Sequence, residues 1–241
     1  MFHQAKEAPI DPQSDSSPQP ARPLRGLLIA QFCGAFNDNA WKFMVALLGI
    51  RAVTSTLAPG QDLETASQTQ TTLAMVVFTL PLVLTSFVAG FFADRLSKRT
   101  VIITMKTVEV VLMAGATLAL LSHPTGGPWA LVMLACMGVH SALFSPAKYG
   151  ILPELLPHAQ LARGNSILEL FTFLAILTGT TAGGFLLAGA GSQPWLAPLA
   201  LTVVALIGSA AAWTVPPVPA ARAAGGLFDT LRGALSALRA D

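Results

Sequence analysis

G-F-F-A-D-R-L-S-K-R-T, residues Gly90 to Thr100, sets Asp94, Arg95, Lys98 and Arg99 at the junction of two apolar runs, 71–93 and 101–121. A helix needs about 20 mostly apolar residues to cross a bilayer, and each run has that length. The charges between them belong in water, so the stretch reads as a short turn joining two membrane-crossing helices. Working outward, four more apolar runs qualify: 26–50, 129–145, 166–190 and 195–214. Pro146 is expected to end the run at 129–145.

Composition supports the same reading. The 241 residues are 53% hydrophobic and 11% charged, against roughly 25% charged in a soluble domain. The expected fold class is an all-α membrane protein with six transmembrane helices in one bundle. A net charge of +2 is too small to suggest a nucleic-acid binder. Cys33 and Cys136 both fall in apolar segments, which makes neither a disulfide framework nor a metal site. No Ser/His/Asp constellation, Gly-rich phosphate loop or HxxxxD motif occurs, so no enzyme, metal or cofactor is expected.

Three units follow: a disordered cytoplasmic tail at 1–23, the bundle at 24–214, and an interfacial amphipathic linker helix at 215–241. In the last, Leu227, Leu231, Leu235 and Leu238 share one helical face. Lys and Arg mark the cytoplasmic side of short loops. They precede the first span as Arg22 and Arg25, and join the second and third as Arg95, Lys98 and Arg99. They recur between the fourth and fifth spans as Lys148 and Arg163, and follow the sixth as Arg222, Arg232 and Arg239. The alternate loops carry no Lys or Arg beyond Arg51. Both termini are therefore expected in the cytoplasm.

The first span carries the costliest residues. Gln31, Ala35, Asp38 and Lys42 fall on one helical stripe, with Asn37 and Asn39 beside it. Polar residues in a membrane helix face a bundle interior or a wet cavity, so this stripe reads as a substrate path. Asp38 and Lys42 are spaced to pair across one turn. Lys106 and Glu109 have similar spacing and read as a structural pair, with Lys106 snorkelling from the cytoplasmic end. Glu169, one turn after Asn165, reads as a gate closed on Lys106 or Lys148. Lys148 and Tyr149 suit a phosphate at the cytoplasmic mouth, and His140 reads as a hydrogen-bonded residue beside Ser141. Gly179 and Gly183 form a small-residue face for close helix packing.

Gly90, Ala93, Asp94, Arg95 and Arg99 resemble the signature loop of the major facilitator superfamily, Gly-x-x-Ala-Asp-Arg-x-Gly-Arg-Arg. Ser97 stands where the pattern has glycine and Lys98 where it has arginine. Gly90 is expected to let helices approach and Asp94 to cap a helix end. The resemblance implies one amino-terminal half of a twelve-span transporter: a half-bundle completed by a missing carboxy-terminal half or by a second copy.

Two further blocks are similar to the bacterial lysophospholipid transporter (LplT) family. One is AQFCGAFNDNAWKFMVALL, residues 30–48, and the other runs from Phe144 to Leu186 and contains Ser145-Pro-Ala-Lys-Tyr-Gly150, Asn165 and Glu169. What this implies is a lysophospholipid substrate, a bilayer of membrane lipids around the protein, and inward flipping at the bacterial inner membrane. Relatives of this kind are also found fused to an acyltransferase, so a fused or partner acyltransferase is implied. Another facilitator substrate, or a non-transporting anchor for such an enzyme, remains the alternative.

Overall fold

The computed structural model describes residues 22–56 and 62–218. Residues 1–21 of the expected tail and residues 219–241 of the expected linker helix lie outside the described residues, as do the side chains of residues 22, 23, 87 and 91–95. Within that range the protein is helical. The helices are α1 (Arg22–Thr54), α2 (Leu63–Arg95), α3 (Lys98–Ser122), α4 (Pro128–Gly150), the one-turn α5 (Leu152–Leu155), α6 (Leu161–Gly189) and α7 (Leu196–Trp213). The six long ones match the six apolar runs and extend past most of their ends.

Composition separates them. Five helices, α2 to α4, α6 and α7, are long and apolar enough to cross a membrane. At 33 residues α1 is as long as any, but it is not in that class: Gln31, Asn37, Asp38, Asn39 and Lys42 make its middle too polar. Its placement explains how such a helix is tolerated. α1 runs through the bundle against α6, α7, α2 and α4, so its polar groups meet protein rather than lipid. The remaining neighbours pair as α2 with α4, α3 with α7 and α3 with α4.

Two glycines set the α1–α6 crossing. A Cβ on Gly179 would sit 2.5 Å from the Phe36 carbonyl oxygen, and one on Gly183 would sit 2.6 Å from that of Ala40. No side chain fits there, which matches the packing role read from their spacing. Pro146 corrects an expectation. It lies inside α4, which continues to Gly150. A proline removes one helical hydrogen bond and bundle packing can absorb that loss; Phe144, Ala147 and Lys148 on either side are all buried.

Apolar side chains gather in two clusters. One joins Trp41, Met44, Met113, Leu120, Leu134, Met137 and Leu201 at one end of the bundle. The other joins Leu27, Ile102, Phe144, Ile151, Leu152 and Leu168 at the opposite end. Between them in sequence, on every central helix, lie the polar residues: 31–39 on α1, 106–109 on α3, 140–141 on α4 and Thr172 on α6. The bundle is thus two dry cores with a polar layer between.

The junction between α2 and α3 ties one end of the bundle together. Lys98 pairs with Glu154 of α5. Arg99 donates from Nε to the Val215 carbonyl at 2.7 Å and from Nη2 to the Trp213 carbonyl at 3.1 Å, closing the last turn of α7. Ser97, where the superfamily pattern has glycine, donates to the Val218 carbonyl at 3.0 Å. Gly90 shows no close approach: a Cβ there would meet nothing within 4 Å. At the other end Asp62 starts α2, accepting from the Glu64 amide at 3.0 Å and the Thr65 hydroxyl at 2.5 Å. The Thr65 hydroxyl, then the Glu64 amide, hold its carboxyl below the usual carboxylate range.

Candidate functional site

The α1 stripe opens onto one cavity. Its volume is about 310 Å³, and Gln31, Gly34, Ala35, Asp38, Asn39 and Lys42 form the α1 wall. Phe78, Leu82 and Ser86 of α2 face them, with His140, Ser141, Phe144, Ser145 and Lys148 of α4, Lys106 of α3, and Thr172 and Ile176 of α6. The helical period alone places Gln31, Ala35, Asp38 and Lys42 together, and the cavity confirms that they share a face.

The expected partners change. No ion pair joins Asp38 to Lys42. Ser141 of α4 donates its hydroxyl to Asp38 Oδ2 instead, and Asp38 Oδ1 is buried without a partner. The Lys42 ammonium lies 4.6 Å from the centre of the Phe78 ring, a cation–π contact that costs it no N–H donor. Spacing on one helix permits a pair; the neighbouring helices offer each member a different contact.

Lys106 and Glu109 do the reverse. Their 2.7 Å ion pair is completely buried, so Lys106 does not snorkel to the surface. Asn37 points away from the cavity into this pair, donating from Nδ2 to Glu109 Oε1 at 2.8 Å and to the Leu201 carbonyl of α7 at 3.2 Å. Gly34 makes the room: a Cβ on it would collide with the Lys106 ammonium. Asn37 is therefore a bracing residue joining α1, α3 and α7.

Gln31 donates to Thr172 of α6 at 2.8 Å, and Asn39 bonds its own helix at the Ala35 carbonyl, 2.7 Å away. Glu169 does not close on Lys106 or Lys148. It accepts from the Tyr149 hydroxyl, while Lys148 sits 4.7 Å from the centre of that ring. Glu169 and Tyr149 thus border the Lys148 end of the cavity without lining it. Asn165 is exposed. Of the signature-loop residues, Lys98 and Arg99 serve the α5 and α7 contacts above, a Cβ on Gly90 would meet nothing within 4 Å among the described residues, and the side chains of Asp94 and Arg95 lie outside them.

Sequence reasoning misses His140 and Lys106 as cavity residues. The available signal is that an ionisable residue inside an apolar run is a site candidate by default, and both qualify. His140 is buried with Nε2 2.8 Å from the Met105 carbonyl, and its ring stacks on Phe144.

The arrangement offers a compact polar chamber with two ammonium groups, Lys42 and Lys148, held by aromatic rings rather than carboxylates. Asp38 of the α1 wall keeps one carboxylate oxygen buried and without a partner. Such a chamber suits a group carrying both charges. The Major Facilitator Superfamily profile matches residues 27–240. The "Lysophospholipid transporter LplT" of Photorhabdus laumondii is 34% identical over 77% of this chain and 40% of its own length. The protein of that name from Pectobacterium carotovorum is 36% identical over 71% and 37%, and that from Serratia proteamaculans 32% over 86% and 46%. The chain spans less than half the length of these relatives.

Proposed function

Since the chain belongs to the major facilitator superfamily, and is a multi-pass membrane protein, we propose that it moves lysophospholipids across the bacterial inner membrane by alternating access. The single observation that carries the substrate is the α1 cavity. Free cationic donors from Lys42 and Lys148 suit the phosphate, and Asp38 Oδ1 suits a cationic head group. A volume of about 310 Å³ lies at the lower end of small-ligand sites, about 300–1,000 Å³. It takes a head group and leaves the acyl chain to run along apolar helix surface.

The relatives that match are named as transporters, and the chain's role is transport rather than catalysis. The polar layer is where a facilitator binds substrate, near the middle of its bundle. Lys98, Arg99 and Arg163 gather at one end of the bundle, which supports that end as cytoplasmic. A chain that spans less than half of its relatives' length holds one wall of the path, and the remainder comes from further spans or a second copy.

Flipping of labelled lysophosphatidylethanolamine in proteoliposomes tests this, with the chain alone beside a version carrying six further spans. Inward flipping by either form, lost in Asp38→Asn, supports the proposal. Silence of both overturns it.

A further inference from the structure

Arg51 lies in the last turn of α1, at the end of the bundle away from Lys98 and Arg99, and the central cavity does not use it. It is exposed and makes no ion pair among the described residues. The acids of that end are occupied elsewhere. Asp62 accepts from the Glu64 amide and the Thr65 hydroxyl, and Glu64 accepts from Gln68. Arg51 instead lines a cavity of about 320 Å³. Thr125 of the α3–α4 loop and Ser192 of the α6–α7 loop add hydroxyls to it, and no carboxylate is among its lining residues.

A second cavity, of about 220 Å³, adjoins the first and shares Leu48, Ala52 and Thr125 with it. Its wall is mostly apolar, with Val45, Val53, Leu73 and Leu131. Gly126 brings the α3–α4 loop close to α1 where the two meet: its φ is +96°, and a Cβ on it would lie 3.2 Å from that of Leu48. An arginine presents a planar fork of N–H donors that matches a phosphate, and an apolar groove beside it takes one hydrocarbon chain. We propose that this end of the bundle binds a single-chain lipid, with its phosphate at Arg51 and its acyl chain in the groove of Val45, Leu73 and Leu131. Because the cavities adjoin, one amphiphile reaches both, whereas a free phosphate leaves the groove empty. The site is separate from the central cavity, with which it shares no lining residue. Its use as a loading position ahead of that cavity rests on the lysophospholipid transport reading; the binding rests on the adjoining cavities.

The test puts a photoreactive benzophenone side chain at Gln193, which is exposed beside Ser192 and outside both linings, in the full chain in nanodiscs. Capture of a radiolabelled lysophosphatidylglycerol should saturate. A monoacylglycerol, which lacks the phosphate, and glycerol phosphate, which lacks the chain, should each compete about tenfold less well than the unlabelled lipid. Arg51→Gln should raise the half-saturating concentration about tenfold and Arg51→Lys by less, with melting temperatures compared to set folding aside. Asp38→Asn should leave capture unchanged, and its loss there would assign the lipid to the central cavity and overturn this site. Capture unaltered in Arg51→Gln, or either competitor matching the lipid, overturns it too. Flipping by the same protein in proteoliposomes separates the two readings. Flipping without saturable capture removes this site and leaves the transport reading standing; Arg51-dependent capture without flipping keeps the site and removes its loading role.

Discussion

Lys106–Glu109 and Asp38–Lys42 have nearly the same spacing and opposite fates. The first pair closes at 2.7 Å in a completely buried setting, with Asn37 adding a bond to the carboxylate. The second stays open: Ser141 takes one carboxylate oxygen, Phe78 takes the ammonium, and both residues line a cavity. A closed pair is already compensated and braces three helices. An open pair keeps unspent acceptors and donors where a ligand fits. Their difference separates the framework of the polar layer from its working surface.

Breaking the closed pair should have the largest effect. Glu109→Gln leaves Lys106 as an uncompensated buried charge, which costs about 3–5 kcal/mol. The expected result is a large fall in melting temperature in detergent, with much of it recovered when Lys106 is also replaced by Met. A normal melting temperature for Glu109→Gln would erase the distinction. The α1–α6 contact that carries the open pair comes next. Gly183→Leu must push α1 away at Ala40, an overpacking cost of about 1–3 kcal/mol, seen as a lower melting temperature and a wider α1–α6 spin-label distance.

Asp38→Asn sharpens the comparison from the other side. The amide oxygen still accepts from Ser141, so melting should hardly change. Lysophosphatidylethanolamine binding should weaken by about tenfold, equivalent to about 1.4 kcal/mol. A variant that loses stability instead would make Asp38 a second framework residue. Smallest is the junction ion pair. Lys98→Met removes its partly exposed contact with Glu154, and such pairs are worth about 1 kcal/mol or less, so a shift of a few degrees is the ceiling.

Much of this is legible in the sequence. The long helices follow from runs of apolar length, and the cavity face of α1 follows from Gln31, Ala35, Asp38 and Lys42 recurring at the helical period. What spacing leaves open is which ion meets which, because partners come from other helices. Nothing on α1 announces that Ser141 of α4 will reach Asp38, or that Asn37 will turn toward Glu109 of α3. Glu169 likewise finds Tyr149 of α4 rather than a lysine. Pro146 looks like a helix end only while its packed surroundings are out of view. His140 reads from the sequence as a hydrogen-bonded residue, but its partner, the Met105 carbonyl, lies on α3 and is not announced by anything on α4.

The most direct measurement is photo-crosslinking with a lysophosphatidylethanolamine that carries a diazirine on its head group. The account predicts adducts on α1 between Gln31 and Lys42 and on α4 between His140 and Lys148, removed by excess unlabelled lipid. Adducts confined to exposed apolar positions such as Leu84 and Phe185, unaffected by competitor, would contradict it.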